Sequence, residues 1–283
     1  MVVLAALGFL TAMKWTTGSH EVEFGGISRR FLLDLPSAGS SKPGLILAFH
    51  GYTDSAESLR AYSGLSEAAA KRGLIVAYPD GTLDKDGKRF HQVGYQFHEG
   101  LRVNDAEFAR FLAETLCRDL NLDPKRVFST GMSNGGDMSF FLASQARPIV
   151  QAIAPVAGTM MSKWAANACT EAGISVLAFN CTEDKTTLYA GDPQNKDGWG
   201  AYLPVDSIIA QWAGSGFSAA KFQASESVVK GRAYPTEFYE WRRPSGARIH
   251  FFKCLGGSHD WPQKVGSMTT AEAICDFFLR SSV

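Results

Sequence analysis

Ser133 lies in a sequence setting that can make a hydroxyl group nucleophilic. It is the central residue of Gly131-Met132-Ser133-Asn134-Gly135, which has the form G-x-S-x-G. Glycines flank such a serine because it occupies a strained turn that lifts its hydroxyl above a helix N-terminus. The motif predicts attack by Ser133 on an acyl carbon, and the alternative is a glycine-rich turn with an idle serine.

A nucleophilic serine needs a histidine that accepts its proton. Only two histidines follow Ser133 in the chain, His250 and His259. His250 falls inside a predicted strand, whereas His259 lies in a glycine-rich loop between the last predicted strand and the last predicted helix. We therefore predict His259 as the general base, and the alternative is a surface loop histidine.

The histidine in turn needs a carboxylate that fixes its tautomer. In folds with this serine motif the order along the chain is serine, acid, histidine. Residues 176–180 form the penultimate predicted strand, and Glu183 and Asp184 follow it. We predict Asp184 as the acid, with Glu183 as the neighbour that can replace it and Asp192 as a third candidate. The alternative role of Asp184 is to cap a turn.

The oxyanion formed in acyl transfer needs two backbone N–H donors. We expect one from Asn134, the residue after the nucleophile, and one from the loop that follows the apolar run Leu45–Phe49. In that loop Tyr52 is the predicted donor and Thr53 is the alternative. His50 is expected to hold the loop through hydrogen bonds.

These residues need elements that carry them to one edge of a sheet. Short β-rich runs alternate with helical patterns, which predicts a single α/β-hydrolase domain with a mostly parallel central sheet and helices on both faces. Strands are predicted at residues 21–24, 30–35, 45–49, 74–78, 127–130, 152–156, 176–180 and 248–254, and helices at 56–71, 104–120, 134–145 and 269–281. The first two strands form an antiparallel hairpin. The long polar segments 79–100 and 185–204 are predicted to be functional loops.

The composition is typical of a globular enzyme. Hydrophobic residues make up 45% and charged residues 20% of the chain, and 28 basic against 28 acidic side chains give zero net charge. That balance argues against a nucleic-acid partner, which needs a basic stripe. Residues 2–12 form an apolar run that is too short to span a membrane. We interpret residues 1–20 as a signal-like or disordered segment before a catalytic domain at 21–283, which favours a secreted or periplasmic protein over a cytoplasmic one.

Five motifs together resemble the polyhydroxybutyrate-depolymerase-like esterases, a family that includes feruloyl esterases and acetylxylan esterases. In the family's order they are Leu47-Ala48-Phe49-His50-Gly51, Tyr78-Pro79-Asp80-Gly81, Asp123-Pro124-Lys125-Arg126-Val127, Gly131-Met132-Ser133-Asn134-Gly135-Gly136 and Gly257-Ser258-His259-Asp260-Trp261-Pro262. The resemblance covers residues 24–278. It implies a secreted serine esterase that needs no metal or organic cofactor, and it gives the three triad roles to Ser133, Asp184 and His259.

Two segments depart from the family pattern. The acid loop of the family usually reads His-Gly-Thr-x-Asp, whereas residues 180–184 here read Asn-Cys-Thr-Glu-Asp. The family places a Trp-Asn pair in the loop after Tyr-Pro-Asp-Gly, and Phe90-His91 takes that place here. Because this loop faces the substrate in the family, the resemblance does not fix the substrate.

Aromatic side chains near the predicted site can stack on a feruloyl ring or on a sugar. The candidates are Phe90, Trp199, Tyr202 and Trp261, each of which can instead pack in the core or at the rim. We expect a feruloyl or other cinnamoyl ester of plant cell-wall polysaccharide, or a small aromatic ester, as substrate. The alternatives are an acetylxylan or short hydroxyalkanoate esterase and, in a different class, a carbohydrate-binding protein without catalysis.

Cysteines 117, 169, 181, 254 and 275 include no CxxC pair, so no zinc or redox motif is predicted. Cys181 and Cys254 end two strands that we expect to be neighbours in the sheet. Adjacent strands lie about 4.8 Å apart, which is close enough for a disulfide. We hypothesise that a Cys181–Cys254 disulfide clamps the loops that carry Asp184 and His259, and the alternative is two buried free thiols.

Overall fold

The computed structural model describes residues 15–36, 43–168, 170, 173–214 and 220–281. Within these ranges twelve strands form one mixed sheet, and β5 and β6 form a separate two-stranded ribbon. The strands are β1 (Gly18–Phe24), β2 (Ile27–Asp34), β3 (Leu45–Phe49), β4 (Ile75–Pro79), β5 (Thr82–Leu83), β6 (Arg89–Phe90), β7 (Val127–Met132), β8 (Ala152–Val156), β9 (Ser175–Cys181), β10 (Lys221–Val229), β11 (Arg232–Arg242), β12 (Arg248–Cys254), β13 (Lys264–Val265) and β14 (Met268–Thr269).

Six parallel strands fill the centre of the sheet, in the order β4, β3, β7, β8, β9 and β12. All but β12 are buried along their whole length, as strands covered on both faces must be. The predicted strands in this region are confirmed, with ends that differ by at most two residues. Because the strands are parallel, their carboxyl ends meet at one edge, where the loops after β3, β7, β9 and β12 come together.

Antiparallel strands extend the sheet at both edges. The predicted hairpin of β1 and β2 pairs with β4 at one edge. At the other edge the long hairpin of β10 and β11 pairs with β12 and carries β13 and β14. This second extension was not predicted, because much of β10 is exposed and lacks an apolar face.

Helices cover both faces of the sheet. They are α1 (Ala56–Ser63), α2 (Leu65–Ala70), α3 (Asp105–Asp119), α4 (Asn134–Ala143), α5 (Ser162–Ala165), α6 (Val205–Ala213) and α7 (Thr270–Arg280). Helices α3, α4 and α6 pack on the face to which β3 contributes Leu45 and Leu47, whereas α1, α2 and α7 pack on the face of Ile46 and Ala48. The prediction of an α/β-hydrolase fold with helices on both faces is confirmed.

One predicted helix is divided into two helices in the structure. The pattern at residues 56–71 predicted a single helix, but Gly64 adopts a left-handed conformation, with φ of 71°, and separates α1 from α2. The predicted cap of α3 is present, since the Asn104 side chain accepts a hydrogen bond from the Glu107 amide at 3.0 Å. Helices α1 and α2 both pack against the sheet, on the face of Ile46 and Ala48.

Several sequence predictions lie outside the described residues. The apolar run at 2–12 and Cys169 belong to this group, as does most of the polar loop before β3. Across the part of the chain that is described, no helix combines the length and the apolar character needed to cross a membrane.

Candidate active site

Ser133 occupies the turn between β7 and α4, with φ of 56° and ψ of −118°. A residue other than glycine is rarely found in this region of backbone space, so the turn is strained. A Cβ atom at either flanking glycine, Gly131 or Gly135, would lie closer to the carbonyl oxygen of Phe49 than real Cβ atoms approach. A Cβ on Gly131 would also collide with the backbone of Gly135. The turn at Ser133, called the elbow from here on, packs so closely against the end of β3 that both glycines of the motif are required.

Asp184 and His259 form a hydrogen-bonded pair at the same edge. His259 Nδ1 lies 2.7 Å from Asp184 Oδ2. The other carboxylate oxygen of Asp184 accepts the amides of Thr186 and Thr187 at 2.8 and 2.9 Å. The carboxyl group is buried and fixed by three donors, so it can orient the imidazole with its Nδ1–H toward Asp184.

The alternative acid and base residues lie elsewhere. Glu183 is exposed beside Lys185, and Asp192 accepts the amide of Asp197 within its own loop. His250 lies in β12 with its Nε2 3.2 Å from Glu240, and burial lowers the pKa of His250 to about 4. Neither of the other acids contacts His259, and His250 does not reach the edge where Ser133 lies.

Ser133 faces a small cavity that is also bordered by the residues that hold Asp184. Its lining includes Ser133 together with Thr186 and Thr187, whose amides hold Asp184. In the described structure the Ser133 hydroxyl makes no hydrogen bond to another residue, and such bonds often tighten only when substrate binds. The three predicted triad residues are thus gathered at one edge of the sheet by β7, β9 and β12.

Two amides beside Ser133 are suited to hold an oxyanion. Asn134 is the first residue of α4, and amides in a first helical turn have no partner within the helix. In the described part of the chain the Tyr52 amide also donates no hydrogen bond. The Thr53 amide donates to the Arg89 carbonyl at 2.8 Å. Of the two candidates in the loop after β3, Tyr52 therefore has the available donor.

The loop after β3 is fixed by the neutral imidazole of His50. Its Nδ1 lies 2.7 Å from the Gly51 carbonyl oxygen, and its Nε2 accepts the Gly81 amide at 2.9 Å. Burial lowers the pKa of His50, which keeps the ring in the neutral form that can both donate and accept. A Cβ on Gly51 would lie 3.6 Å from the Cβ of Ser133, so this loop packs directly against the nucleophile.

The long loop at residues 79–100 is anchored to both candidate oxyanion donors. The Asn134 side chain exchanges two hydrogen bonds with the backbone of His91, at 2.7 and 3.0 Å. The Tyr52 hydroxyl donates to Asp84 at 2.8 Å. Although burial opposes it, the hydrogen bonds from Lys88, Tyr52 and other donors lower the pKa of Asp84 to about 2. This loop supports the site rather than covering it freely.

The four aromatic residues proposed to contact substrate divide into two pairs. Trp199 and Tyr202 line the cavity with Ser133. Phe90 is fully buried, and its ring centroid lies 3.8 Å from that of His98, so its predicted contact with substrate is not supported. Trp261 is 4% exposed and packs in the apolar core near Tyr62, on the face of α7. For Phe90 and Trp261 the structure therefore matches the core-packing alternative.

A buried carboxyl group in the cavity was missed by the sequence analysis. Asp137 follows Ser133 by one helical turn in α4 and lines the cavity with Tyr95 and Thr159. Its oxygens accept the Tyr95 hydroxyl and the Thr159 amide, each at 2.6 Å. Burial raises the pKa of Asp137 to about 7. The available signal was an acidic residue in a helix whose other positions are almost all small or apolar.

The proposed disulfide is not formed in this structure, because Cys181 and Cys254 are both free thiols. The two residues are Cα partners in the pairing of β9 with β12, as expected. No group of three or more histidine, cysteine or acidic side chains within the described ranges is placed to hold a metal ion.

Comparisons of the sequence with known proteins find esterases. The chain is 26% identical to a protein proposed to be an esterase, NocK, from Nocardia uniformis subsp. tsuyamanensis, over 93% of this chain and 83% of that protein. It is 28% identical to feruloyl esterase B of Piromyces equi, over 58% of this chain and 30% of that protein. It is 25% identical to poly(3-hydroxyalkanoate) depolymerase C of Paucimonas lemoignei, over 71% and 47% of the two chains. No protein-family model matches the chain.

A solved structure supports the fold. The acetyl xylan esterase from Aspergillus awamori superposes with a TM-score of 0.64 at 16% identity, over 92% of this chain and 98% of that one. The resemblance to polyhydroxybutyrate-depolymerase-like and feruloyl esterases is confirmed by these relatives. The chain spans less than half the length of the feruloyl esterase and the depolymerase that it matches.

Proposed function

We propose that this chain is a serine carboxylic ester hydrolase with Ser133 as nucleophile, His259 as general base and Asp184 as the acid that orients the base. The observation that carries the proposal is the 2.7 Å hydrogen bond between His259 and Asp184 beside the cavity that contains Ser133. The strained turn at Ser133 and the esterase names of the relatives support the same assignment.

The proposed reaction passes through an acyl-enzyme. Asp184 accepts Nδ1–H, so His259 Nε2 carries no proton and can take the one that Ser133 releases as it attacks the ester carbonyl. The Tyr52 and Asn134 amides stabilise the tetrahedral oxyanion, and the N-terminal end of α4 adds its positive dipole. His259 then protonates the leaving alcohol, and water hydrolyses the acyl-enzyme by the same route.

The cavity beside Ser133 favours a short acyl group. Its volume is about 20 Å³, which is close to the space for one water molecule. A methyl group is close to this volume, whereas a cinnamoyl ring exceeds it. We therefore place acetyl and other short acyl esters ahead of feruloyl esters as substrates.

A feruloyl ester is the second candidate. It is favoured by the aromatic cavity walls Tyr95, Trp199 and Tyr202 and by the match to a feruloyl esterase over 58% of this chain. Aromatic side chains can stack on a ferulate ring once the cavity opens. The two candidates differ in the acyl group alone and share the proposed triad.

Labelling with a fluorophosphonate tests the proposed nucleophile, because the reagent reacts only with an activated serine. We expect one adduct on the peptide that contains Ser133, no adduct in Ser133→Ala, and unchanged labelling in Ser58→Ala, an exposed serine on α1. We also expect Ser133→Ala to lower kcat by about 10⁶ with an unchanged melting temperature. An adduct on another serine, or a Ser133→Ala variant that keeps most of its activity, would contradict the assignment.

The acyl preference is tested by kcat/KM for methyl acetate and for methyl ferulate, which release the same alcohol. We expect the acetate to be preferred by at least about 100-fold. Trp199→Ala should narrow that preference, because it removes one wall of the cavity. Equal or better turnover of methyl ferulate by the unmodified enzyme would exclude the short-acyl assignment and leave the feruloyl candidate.

A further inference from the structure

A pair of thiols lies beneath the loop that carries His259. Cys181 is the last residue of β9 and Cys254 is the last residue of β12. They are direct partners in the parallel pairing of these strands. Neighbouring strands lie about 4.8 Å apart, within the range of about 4.4–6.8 Å that Cα atoms of a disulfide span. The spacing of the two paired residues is therefore compatible with a disulfide.

The two sulfur atoms approach the same point. A Cβ on Gly257 would lie 2.9 Å from Cys181 Sγ and 3.1 Å from Cys254 Sγ. Both sulfurs thus lie on one side of the sheet, against the backbone of the His259 loop.

The cysteines end the strands from which the acid and base loops depart. The Asp184 amide donates to the Cys181 carbonyl at 3.3 Å, and the Thr182 amide donates to the Cys254 carbonyl at 2.9 Å. The hydrogen bond between Asp184 and His259 connects the same two loops farther along the chain. A bond between the sulfurs would therefore fix the bases of both loops relative to each other.

We propose that Cys181 and Cys254 form a disulfide in oxidising surroundings and that this bond holds Asp184 and His259 in register. Oxidised glutathione is a suitable oxidant. The thiolate of one of the two cysteines attacks one sulfur of oxidised glutathione and releases one glutathione thiolate. The thiolate of the other cysteine then attacks the sulfur of the first and releases the second glutathione thiolate. The two protein thiols lose two protons and two electrons, and one oxidised glutathione becomes two reduced molecules.

The competing interpretation is that the thiols serve only as small apolar side chains. Cys181 and Cys254 form a separate apolar cluster with Val229 and Tyr234, away from the two main cores. Free cysteine packs well in such a setting. Under this interpretation an oxidant changes neither the covalent structure nor the behaviour of the acid and base loops.

The covalent bond is tested on the full-length protein. After equilibration with oxidised glutathione the protein is alkylated and digested without reduction, and we expect a cross-linked peptide pair containing Cys181 and Cys254. Because the bond closes a loop of about 70 residues, reduction with dithiothreitol should lower Tm by about 5–10 °C. Cys117→Ala, a cysteine on α3, should retain this response, whereas the double variant Cys181→Ala/Cys254→Ala should lose it.

The effect on the acid–base pair rests on the proposed function and is read separately. Reduction should slow fluorophosphonate labelling of Ser133 about tenfold in the unmodified protein and leave the rate in the double variant unchanged. Alkylated, uncross-linked cysteines after oxidation would overturn the disulfide. A cross-link that alters neither Tm nor labelling would overturn its role as a clamp. A cross-link and a Tm response without any labelling in either redox state would contradict the esterase assignment, not the disulfide.

Discussion

The nucleophile and the acid–base pair reach one edge of the sheet by different means. Ser133 is held by backbone contacts, because the flanking glycines press on Phe49 and leave no room for a side chain. Asp184 and His259 are held by hydrogen bonds between loops that follow two separate strands, β9 and β12. The first arrangement is local in sequence and depends on shape, whereas the second is long-range and depends on polar contacts.

Among variants that keep Ser133 itself, the largest expected effect concerns the acid–base side. Asp184→Asn cannot hold His259 in the required tautomer, so we expect kcat for a p-nitrophenyl ester to fall by about 10⁴. Steady-state kinetics with the purified variant measures this loss. Glu183→Gln, the exposed neighbour, is the matched control and should keep kcat within about twofold. Strong loss in Glu183→Gln with retention in Asp184→Asn would exchange the two assignments.

A smaller effect is expected on the nucleophile side. Gly135→Ala should reduce kcat by about 100-fold, since its Cβ would collide with the Phe49 carbonyl and displace the elbow. Activity assays and thermal unfolding of the variant measure both consequences. Gly26→Ala in the β1–β2 turn has a positive φ of 80° but open space around it, so it should lose some stability and no activity. Equal activity of the two variants would show that the elbow is not sterically constrained.

The third expected effect is on stability rather than on activity, and it is a pH dependence from the buried carboxyl of Asp137 beneath the nucleophile. Burial raises the pKa of Asp137 to about 7 in the folded protein, above its usual value of about 3.9 in an unfolded chain. Asp137 therefore keeps its proton to higher pH in the folded protein than in the unfolded chain. The contribution that this makes to the free energy of unfolding at low pH is lost as pH rises toward 7. Relative to Asp137→Asn, the free energy of unfolding should fall by about 1.4 kcal/mol per pH unit between about pH 4 and 7.

Denaturant unfolding of both proteins across this pH range measures that slope. Asp86→Asn, which changes an exposed aspartate in the long loop, should give a curve parallel to that of the unmodified protein. If the curve of Asp137→Asn were also parallel to that of the unmodified protein, Asp137 would be ionised across the whole pH range. A carboxylate that accepts hydrogen bonds from Tyr95 and Thr159 alone can be ionised in this way.

The central sheet could be predicted because its strands are short, apolar and bounded by polar loops. The edge formed by β10 and β11 could not, since β10 is mostly exposed and pairs through backbone groups. The break at Gly64 was missed because the apolar pattern continues on both sides of the glycine. The pattern of apolar and polar residues in the sequence indicates which residues are buried, but it says little about the backbone turns between them.

The candidate site shows the same limit. Ser133 and its glycines form one continuous motif, and the triad order placed Asp184 and His259 after neighbouring strands. The side chains that border the cavity come from distant segments, and only the fold brings Tyr95 to Asp137. An aromatic residue in a polar loop can point either way, which is why Trp199 lines the cavity and Phe90 does not.

Substrate range in this molecule is more safely altered in one long loop than in the other. Residues 79–100 hold the loop after β3 through the contact of Arg89 with Thr53, and they hold the start of α4 through that of His91 with Asn134. Replacing this segment in a directed-evolution library would disturb both proposed oxyanion donors at once, whatever the new loop recognised. Diversity introduced at residues 188–204, where Tyr202 borders the cavity, would alter the cavity wall while sparing the Thr186 and Thr187 amides that hold Asp184 and the two amides proposed to stabilise the developing charge.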